Sequence, residues 1–273
     1  MCARQRLPAQ VVSQAPDLRD VLTVGDLEIE GRLSGASNAT LRGTASLDGV
    51  DVVCVYKPRR GERPLWDFPS GSLGEREVAA YLVSRATGWD LVPTTVWREN
   101  GPFGPGMCQL WIEANDEATP IRVVDDPPPG AWRTVAEGEG LDGGLVRLVH
   151  EDVADLRRLS LLDVVVNNAD RKGGHALRDD SGRLFAIDHG LTFHDDDKLR
   201  TVLWGWAGMS IDPADLADLE SLARRWDDVL DELGPWLATR EIRAAGARLD
   251  ALLTAGMHPE PQGAWPALPW PAM

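Results

Sequence analysis

The chain has 273 residues, 43% of them hydrophobic and 26% charged, enough to bury a substantial core as one large domain or two packed lobes. Its formal charge of -15 argues against a nucleic-acid binder, which needs a basic footprint, and weighs against docking on anionic lipid. No run approaches the ~20 apolar residues of a membrane span, and Cys2, Cys54 and Cys108 are too few and scattered for a disulfide framework or zinc site. A soluble protein of the reducing cytoplasm is expected.

Residues 1–16 lack periodicity and read as a loose arm, and 17–24 as one short helix. From Asp26 the pattern alternates, with Leu27, Ile29 and Leu33 opposite Glu28, Glu30 and Arg32, as a half-buried strand requires. Small residues, Ser34, Gly35, Ala36, Ser37 and Asn38, interrupt it. A second strand over 39–47 meets the Asp48-Gly49 hairpin turn, and a third, 50–56, runs into Lys57 and Pro58. An irregular stretch leads to a helix over 74–87, stopped by Gly88. Strands at 91–98 and 107–112 flank a Gly/Pro turn.

The region 115–144 is rich in Pro, Gly and acidic residues and reads as a long insertion of weak structure. Asp152 is placed to cap the next helix, 156–166, whose Leu156, Leu159, Leu162, Val165 and Val166 recur at helical spacing. Beyond an acidic run at 195–197 and the Trp-rich 202–207, Asp212-Pro213 starts a helix. Helices at 227–233 and 235–255 follow, and then a Pro-rich tail, 257–273, expected to be loose.

The centre of the sequence carries the chemistry. The 156–166 helix delivers Asn167, Asn168, Ala169, Asp170, Arg171, Lys172, Gly173, Gly174 and His175 into a polar loop, and a short apolar strand, 184–187, ends in Asp188, His189 and Gly190. Two carboxylates, each presented by loop backbone after a rigid element, are what a divalent metal and a phosphate chain need. Either aspartate alone reads as an ordinary turn residue; the order of both is the signal.

Asn168-Ala169-Asp170-Arg171 followed by Ile187-Asp188-His189-Gly190 resembles the catalytic and metal loops of the kinase superfamily. The match is with the phosphatidylinositol 3-/4-kinase-like family, in particular the type II phosphatidylinositol 4-kinase branch and its bacterial relatives. The resemblance covers about 29–193. It implies an α+β, two-lobed protein-kinase-like fold, with an antiparallel-sheet N-lobe over 17–115 and a mainly helical C-lobe over 116–256.

The resemblance also implies ATP, with Mg²⁺ or Mn²⁺. In it, Asp170 is the base, Arg171 or Lys172 touches the γ-phosphate, and Asp188 holds metal. The loop containing Ser34, Gly35 and Ser37 covers phosphates, Lys57 reaches them, and Glu77 pairs with Lys57, with Glu75 as competitor. The strand Cys108-Gln109-Leu110-Trp111-Ile112-Glu113 resembles the lobe-joining hinge, with Gln109, Trp111 and Ile112 against adenine. One position departs from the family: His175 stands where a metal-binding asparagine is expected, five residues after Asp170. Imidazole is a poorer magnesium ligand than an amide oxygen, so His175 either meets metal, favouring Mn²⁺, or a phosphate or carboxylate instead, with Asn168 as a substitute oxygen donor.

The expected activity is transfer of the γ-phosphate to a hydroxyl acceptor, protein or small molecule rather than lipid, because no basic amphipathic helix or palmitoylation stretch is present. Two further readings stand beside it: AMP transfer, and a pseudokinase or nucleotide-binding interaction module.

Overall fold

The computed structural model describes residues 16–33, 38–140, 142–263 and 265–273. The N-terminal lobe is a five-stranded antiparallel sheet of order β1-β2-β3-β5-β4: β1 (Asp26–Arg32), β2 (Leu41–Leu47), β3 (Val50–Pro58), β4 (Thr95–Arg98) and β5 (Gly106–Leu110). The β2–β3 loop has only two residues, Asp48 and Gly49, both at positive φ, the geometry that matches the twist of paired strands. Helix α1 (Leu18–Val24) covers one face of this sheet, burying Val21 and Leu22 against Ala45, Cys54, Val96 and Cys108.

Helix α2 (Leu73–Thr87) crosses to the other lobe and is buried along almost its whole length. Ser72, at its N-cap, makes no side-chain cap bond; instead the Glu62 carboxylate accepts from the N–H groups of Leu73 (3.0 Å) and Gly74 (2.9 Å), which also suits the positive end of a helix dipole. At the other end Gly88 takes φ 77° and returns its N–H to Arg85.

The C-terminal lobe packs α3 (Ala154–Val166), α4 (Pro213–Arg224), α5 (Trp226–Leu233) and α6 (Thr239–Ala255) into one apolar core shared with α2. All five periodic positions of α3, from Leu156 to Val166, are buried. Among the described residues no helix is long and apolar enough to cross a membrane.

Four expectations change. The stretch expected to be weakly structured holds β6 (Ile121–Val124) and β7 (Trp132–Glu139), which with β8 (Leu145–Glu151) form an antiparallel sheet of order β6-β8-β7 anchored by Ile121, Leu148 and Val149. Asp152 does not cap α3; its carboxylate takes the Trp206 indole N–H (2.8 Å) and the Arg133 guanidinium (2.7 Å), and Val153 occupies the N-cap.

The segment 265–273, expected loose, docks on the C-terminal lobe. Ala272 O accepts from Gly173 N–H (2.8 Å), Ala267 O from Thr201 N–H (3.1 Å), and Leu268 and Ala272 pack on the core. Helix α6 starts at Thr239 rather than 235, capped where Glu241 accepts from Ala238 N–H at 2.8 Å.

Candidate active site

The sheet and the loop that follows α3 meet at a cleft of about 700 Å³, lined by Val55 and Lys57 of β3, residues 109–114, and Asp170, Lys172, His175, Leu177, Ile187 and Asp188 from the C-terminal lobe. A smaller pocket of about 290 Å³ adjoins it, sharing Lys57, Asp170 and Asp188 and bounded further by Arg63, Leu73, Glu77 and Leu191.

Lys57 sits between the two lobes. Its Nζ lies 2.7 Å from Glu77 Oε1 and 3.0 Å from Asp188 Oδ1. Burial favours the neutral amine, but the Asp188 and Glu77 carboxylates outweigh it and hold the ammonium above its ordinary pKa. Burial pushes Glu77 up to about 7, against the pull of Lys57. Asp188 goes the other way, held well below the carboxylate range by the Lys57 ammonium. It follows the short strand β10 (Leu184–Ala186), itself paired with β9 (Ala176–Arg178), and takes a left-handed φ of 60° that turns its carboxylate into the cleft. Glu75, the competitor for Lys57, pairs instead with Arg59.

The catalytic-type loop is held from below. Asn167 ends α3 at φ 52°, and its side chain binds the 194–198 segment through His194 O (2.9 Å), Asp196 O (2.7 Å) and Lys198 N–H (3.0 Å). Asn168 Oδ1 accepts from Asp170 N–H (3.0 Å), while its Nδ2 donates to Asp163 (3.0 Å). Asn168 is therefore buried and committed, which removes it as a metal donor.

Arg171 is likewise not at the phosphate position expected of it. Its side chain is fully buried and forks onto Asp163 at 2.9 and 2.8 Å, with a further bond to Ile187 O (3.0 Å). A buried guanidinium is stable only when paired in this way, and the pairing ties Asp163 of α3 to the carbonyl just before Asp188. Arg171 Nη2 also lies 2.7 Å from His189 Nε2; because arginine only donates, that nitrogen bears the lone pair and Nδ1 the proton.

The remaining residues face the cleft. Burial raises the Asp170 pKa, and Lys172 Nζ stands 3.2 Å from its Oδ2. Burial pushes His175 down to about 4, so it is a neutral imidazole at pH 7, with Nε2 3.4 Å from Asp188 Oδ2 and Nδ1 unpartnered among the described residues.

At the hinge, Gln109 is buried and donates to Thr95 Oγ1 (2.8 Å), and the Trp111 N–H is engaged with Val53 O (3.0 Å). The Trp111 N–H is therefore not free for a base, although Gln109, Trp111 and Ile112 all line the cleft. Ser34, Gly35 and Ser37 lie outside the described residues.

No three His, Cys, Asp or Glu side chains gather as a metal cage among the described residues. Asp188 with His175 beside it still fits a divalent ion that takes most of its coordination from phosphate oxygens and water.

Sequence reasoning missed the supports of this site. Arg76, adjacent to Glu77, donates to Thr192 O (2.6 Å) and pairs with Glu241 of α6. Glu62 reaches α2 from eleven residues upstream. Neither has a local pattern that marks it: Arg76 stands between Glu75 and Glu77, in a run that reads as a solvated turn of helix.

The lobes, their sheet order and the cleft define a protein-kinase-like fold. The structure of a Fam20 protein of hydra with sugar is similar over 87% of this chain and 86% of that one, with a TM-score of 0.56 and 13% identity. The Helicobacter pylori proinflammatory kinase CtkA aligns over 86% of this chain and 94% of that one at a TM-score of 0.46 and 10% identity.

In sequence, the chain is 44% identical over 277 aligned positions to Protein Rv2133c of Mycobacterium tuberculosis, covering 94% of this chain and 98% of that protein. It belongs to the same family as Protein Rv2133c. No protein-family model matches it.

Proposed function

We propose that the protein is an ATP-dependent phosphotransferase that moves the γ-phosphate to a hydroxyl on a protein or small molecule. The observation that carries this reading is the Lys57 ammonium held between Glu77 and Asp188 at the wall of a cleft that also presents Asp170.

Phosphoryl transfer asks the protein mainly to position groups and neutralise charge. The apolar Val55, Leu177 and Ile187 offer walls to a flat base at the hinge end. Lys57, kept protonated by its two carboxylates, faces the phosphates. Asp170 accepts or orients the proton of the attacking hydroxyl, and lies on both the cleft and the smaller pocket, so acceptor and donor can meet at it. Lys172, beside Asp170, is the cation for the transferring phosphoryl group, the role expected of either Arg171 or Lys172. Asp188, with His175 as neighbour, would hold a divalent ion, which supplies charge neutralisation on the phosphate oxygens.

The kinship to the phosphatidylinositol 3-/4-kinase branch rests on the Asn168–Arg171 and Ile187–Gly190 motifs. A lipid acceptor is disfavoured by the charge of -15. The basic cluster Lys57, Arg59, Arg60 and Arg63 is also partly engaged, with Arg59 paired to Glu75 and Arg60 stacked 5.1 Å from the Phe103 ring centre.

The test is incubation with γ-labelled ATP against phosphatidylinositol vesicles, cell lysate and the protein alone. Transfer in the lysate or protein arms that Asp170→Asn abolishes supports the reading; ATP consumption equal to wild type in both Asp170→Asn and Asp188→Ala overturns it. A parallel arm with α-labelled ATP separates AMP transfer.

A second reading, a nucleotide-binding module without transfer, is favoured by His175 in place of asparagine. Tight, Mg²⁺-dependent ATP binding in calorimetry would contradict it.

A further inference from the structure

We propose that the segment 267–272 is a positioning element of the active site, bracing the loop from Asp170 to Gly173 on both sides of Lys172. This role rests on the phosphotransfer reading and falls to residues that line neither the cleft nor the smaller pocket.

Two backbone anchors fix that loop. At Arg171 the N–H donates to Arg200 O (3.0 Å) and the carbonyl accepts from Val202 N–H (3.2 Å), a parallel bridge to Thr201. At Gly173 the N–H donates to Ala272 O (2.8 Å). Lys172 lies between the anchors, its Nζ 3.2 Å from Asp170 Oδ2. The segment serves both anchors, because Ala267 O accepts from Thr201 N–H (3.1 Å) and from the Trp204 indole N–H (2.8 Å). It thereby steadies the stretch on which Arg171 is held.

Contact at Gly173 is direct. A Cβ there would collide with Met273 Sδ and stand 3.3 Å from Ile121 Cγ2 of β6, so the loop backbone has no room for a side chain on this side. Gly173 is buried, and withdrawal of Ala272 would leave its N–H without an acceptor, which a buried backbone donor does not tolerate. The loop would have to move. Leu268 and Ala272, packed on the core, and the buried Pro269 keep the segment in place.

Transfer is sensitive above all to placement: a shift of about 1 Å costs on the order of 10²-fold in rate. Nucleotide binding draws on other parts, the sheet residues of the cleft and Asp188. Loosening the segment should therefore lower turnover and spare ATP affinity.

The experiment compares full-length wild type, Leu268→Asp and Leu268→Met well below their melting temperatures. Leu268 is half-buried on the core, and aspartate opposes that packing where methionine keeps it. Three quantities are read: turnover of γ-labelled ATP with cell lysate as the acceptor source, ATP affinity by calorimetry, and amide exchange of Gly173 by NMR. Leu268→Asp is expected to exchange Gly173 at least about tenfold faster, to lose about 10–100-fold in turnover, and to keep ATP affinity within about twofold. Leu268→Met should match wild type in all three. If Leu268→Asp does not fold, Trp204→Phe takes its place. It removes only the indole donor to Ala267 O, and the same pattern is expected at about threefold, the size of one hydrogen bond.

Turnover at the wild-type level in a folded variant whose Gly173 amide exchanges faster overturns the proposal. So does unchanged Gly173 exchange, or turnover and ATP affinity falling in equal measure. In those cases the phosphotransfer reading stands, because the wild type turns over ATP; absence of turnover in the wild type overturns both together.

Discussion

Arg76 of α2 and Glu241 of α6 form an enclosed ion pair, their side chains 1% and 6% exposed, joining the helix that bears Glu77 to the last helix of the other lobe. The same guanidinium holds Thr192 O at 2.6 Å, four residues beyond Asp188, and lies over the Phe68 ring at 4.9 Å. One side chain thus ties the helix carrying Glu77 to the loop carrying Asp188.

Removing one partner of such a pair leaves an uncompensated buried charge. Arg76→Met is expected to lower the unfolding free energy by about 3–5 kcal/mol in urea denaturation. Arg76→Met with Glu241→Gln together should lose less than the sum of the single changes, because the second substitution removes the stranded carboxylate. Additive losses would show that the two residues act separately.

Asp170→Asn preserves shape but removes the proposed proton acceptor, so turnover of ATP in the presence of acceptor should fall by about 10²–10⁴-fold with nucleotide affinity retained. Lys57→Met should instead weaken ATP binding. Its effect on stability should be modest, because Glu77, already at about 7, can take up a proton once its partner is gone. Calorimetry and melting curves on the two variants check both statements.

What could be read from sequence was what periodicity encodes. Helix α3 and the Asp48-Gly49 turn are visible because apolar spacing and a tight-turn dipeptide are local signals. The β6-β8-β7 sheet was not visible: β7 reads Trp-Arg-Thr-Val-Ala-Glu-Gly-Glu, with much of its length solvent-exposed, and it is paired through β8 rather than by its own pattern.

At the site, the sequence placed Asp170, Lys172, His175 and Asp188 on loops, and the structure brings all four to one cleft. It could not show that Arg171 turns inward, since an arginine beside a catalytic-type aspartate looks the same whether it meets phosphate or Asp163. The choice of Glu77 over Glu75 likewise depended on Arg59, which lies sixteen residues before Glu75 in the chain.

Acid should destabilise the fold in a defined window. Burial pushes His150, His175 and His258 each down to about 4, against roughly 6.5 in an unfolded chain. Between pH 4 and 6.5 the unfolded state therefore binds more protons, and the unfolding free energy rises with pH. Asp188, depressed by Lys57, acts in the same sense at lower pH.

Glu77 opposes them. Its folded pKa of about 7 lies above the ordinary carboxylate value, so its contribution falls as pH rises toward 7. Glu75 and Asp170, also raised by burial, act in the same sense as Glu77, while His189, lowered by burial, joins the other histidines; the histidines titrate within this window, and urea midpoints should drop from pH 7 to pH 5. His150→Gln should flatten that slope: protonating His150 Nε2 breaks the bond it accepts from Gly205 N–H, and glutamine takes no proton in this range. A midpoint that rises on acidification would contradict the assignment.

His175 sets the last expectation, the choice of metal. Its neutral imidazole stands 3.4 Å from Asp188 Oδ2, with Nδ1 unpartnered, so the site offers nitrogen beside a single carboxylate where an asparagine would offer oxygen. Magnesium prefers oxygen and keeps its waters, whereas manganese accepts imidazole more readily. ATP turnover by the wild type is therefore expected to be higher with Mn²⁺ than with Mg²⁺, by several-fold at equal concentration. His175→Asn should invert the ratio, raising Mg²⁺-supported turnover while leaving the Mn²⁺ rate similar or lower. Because His175 makes no hydrogen bond to α3 and sits at the cleft surface, the substitution should leave the melting temperature near that of wild type, so a change in ratio reports on metal rather than folding. An identical Mn²⁺/Mg²⁺ ratio in the two proteins would place His175 outside the metal's reach and leave Asp188 as its single side-chain anchor among the described residues.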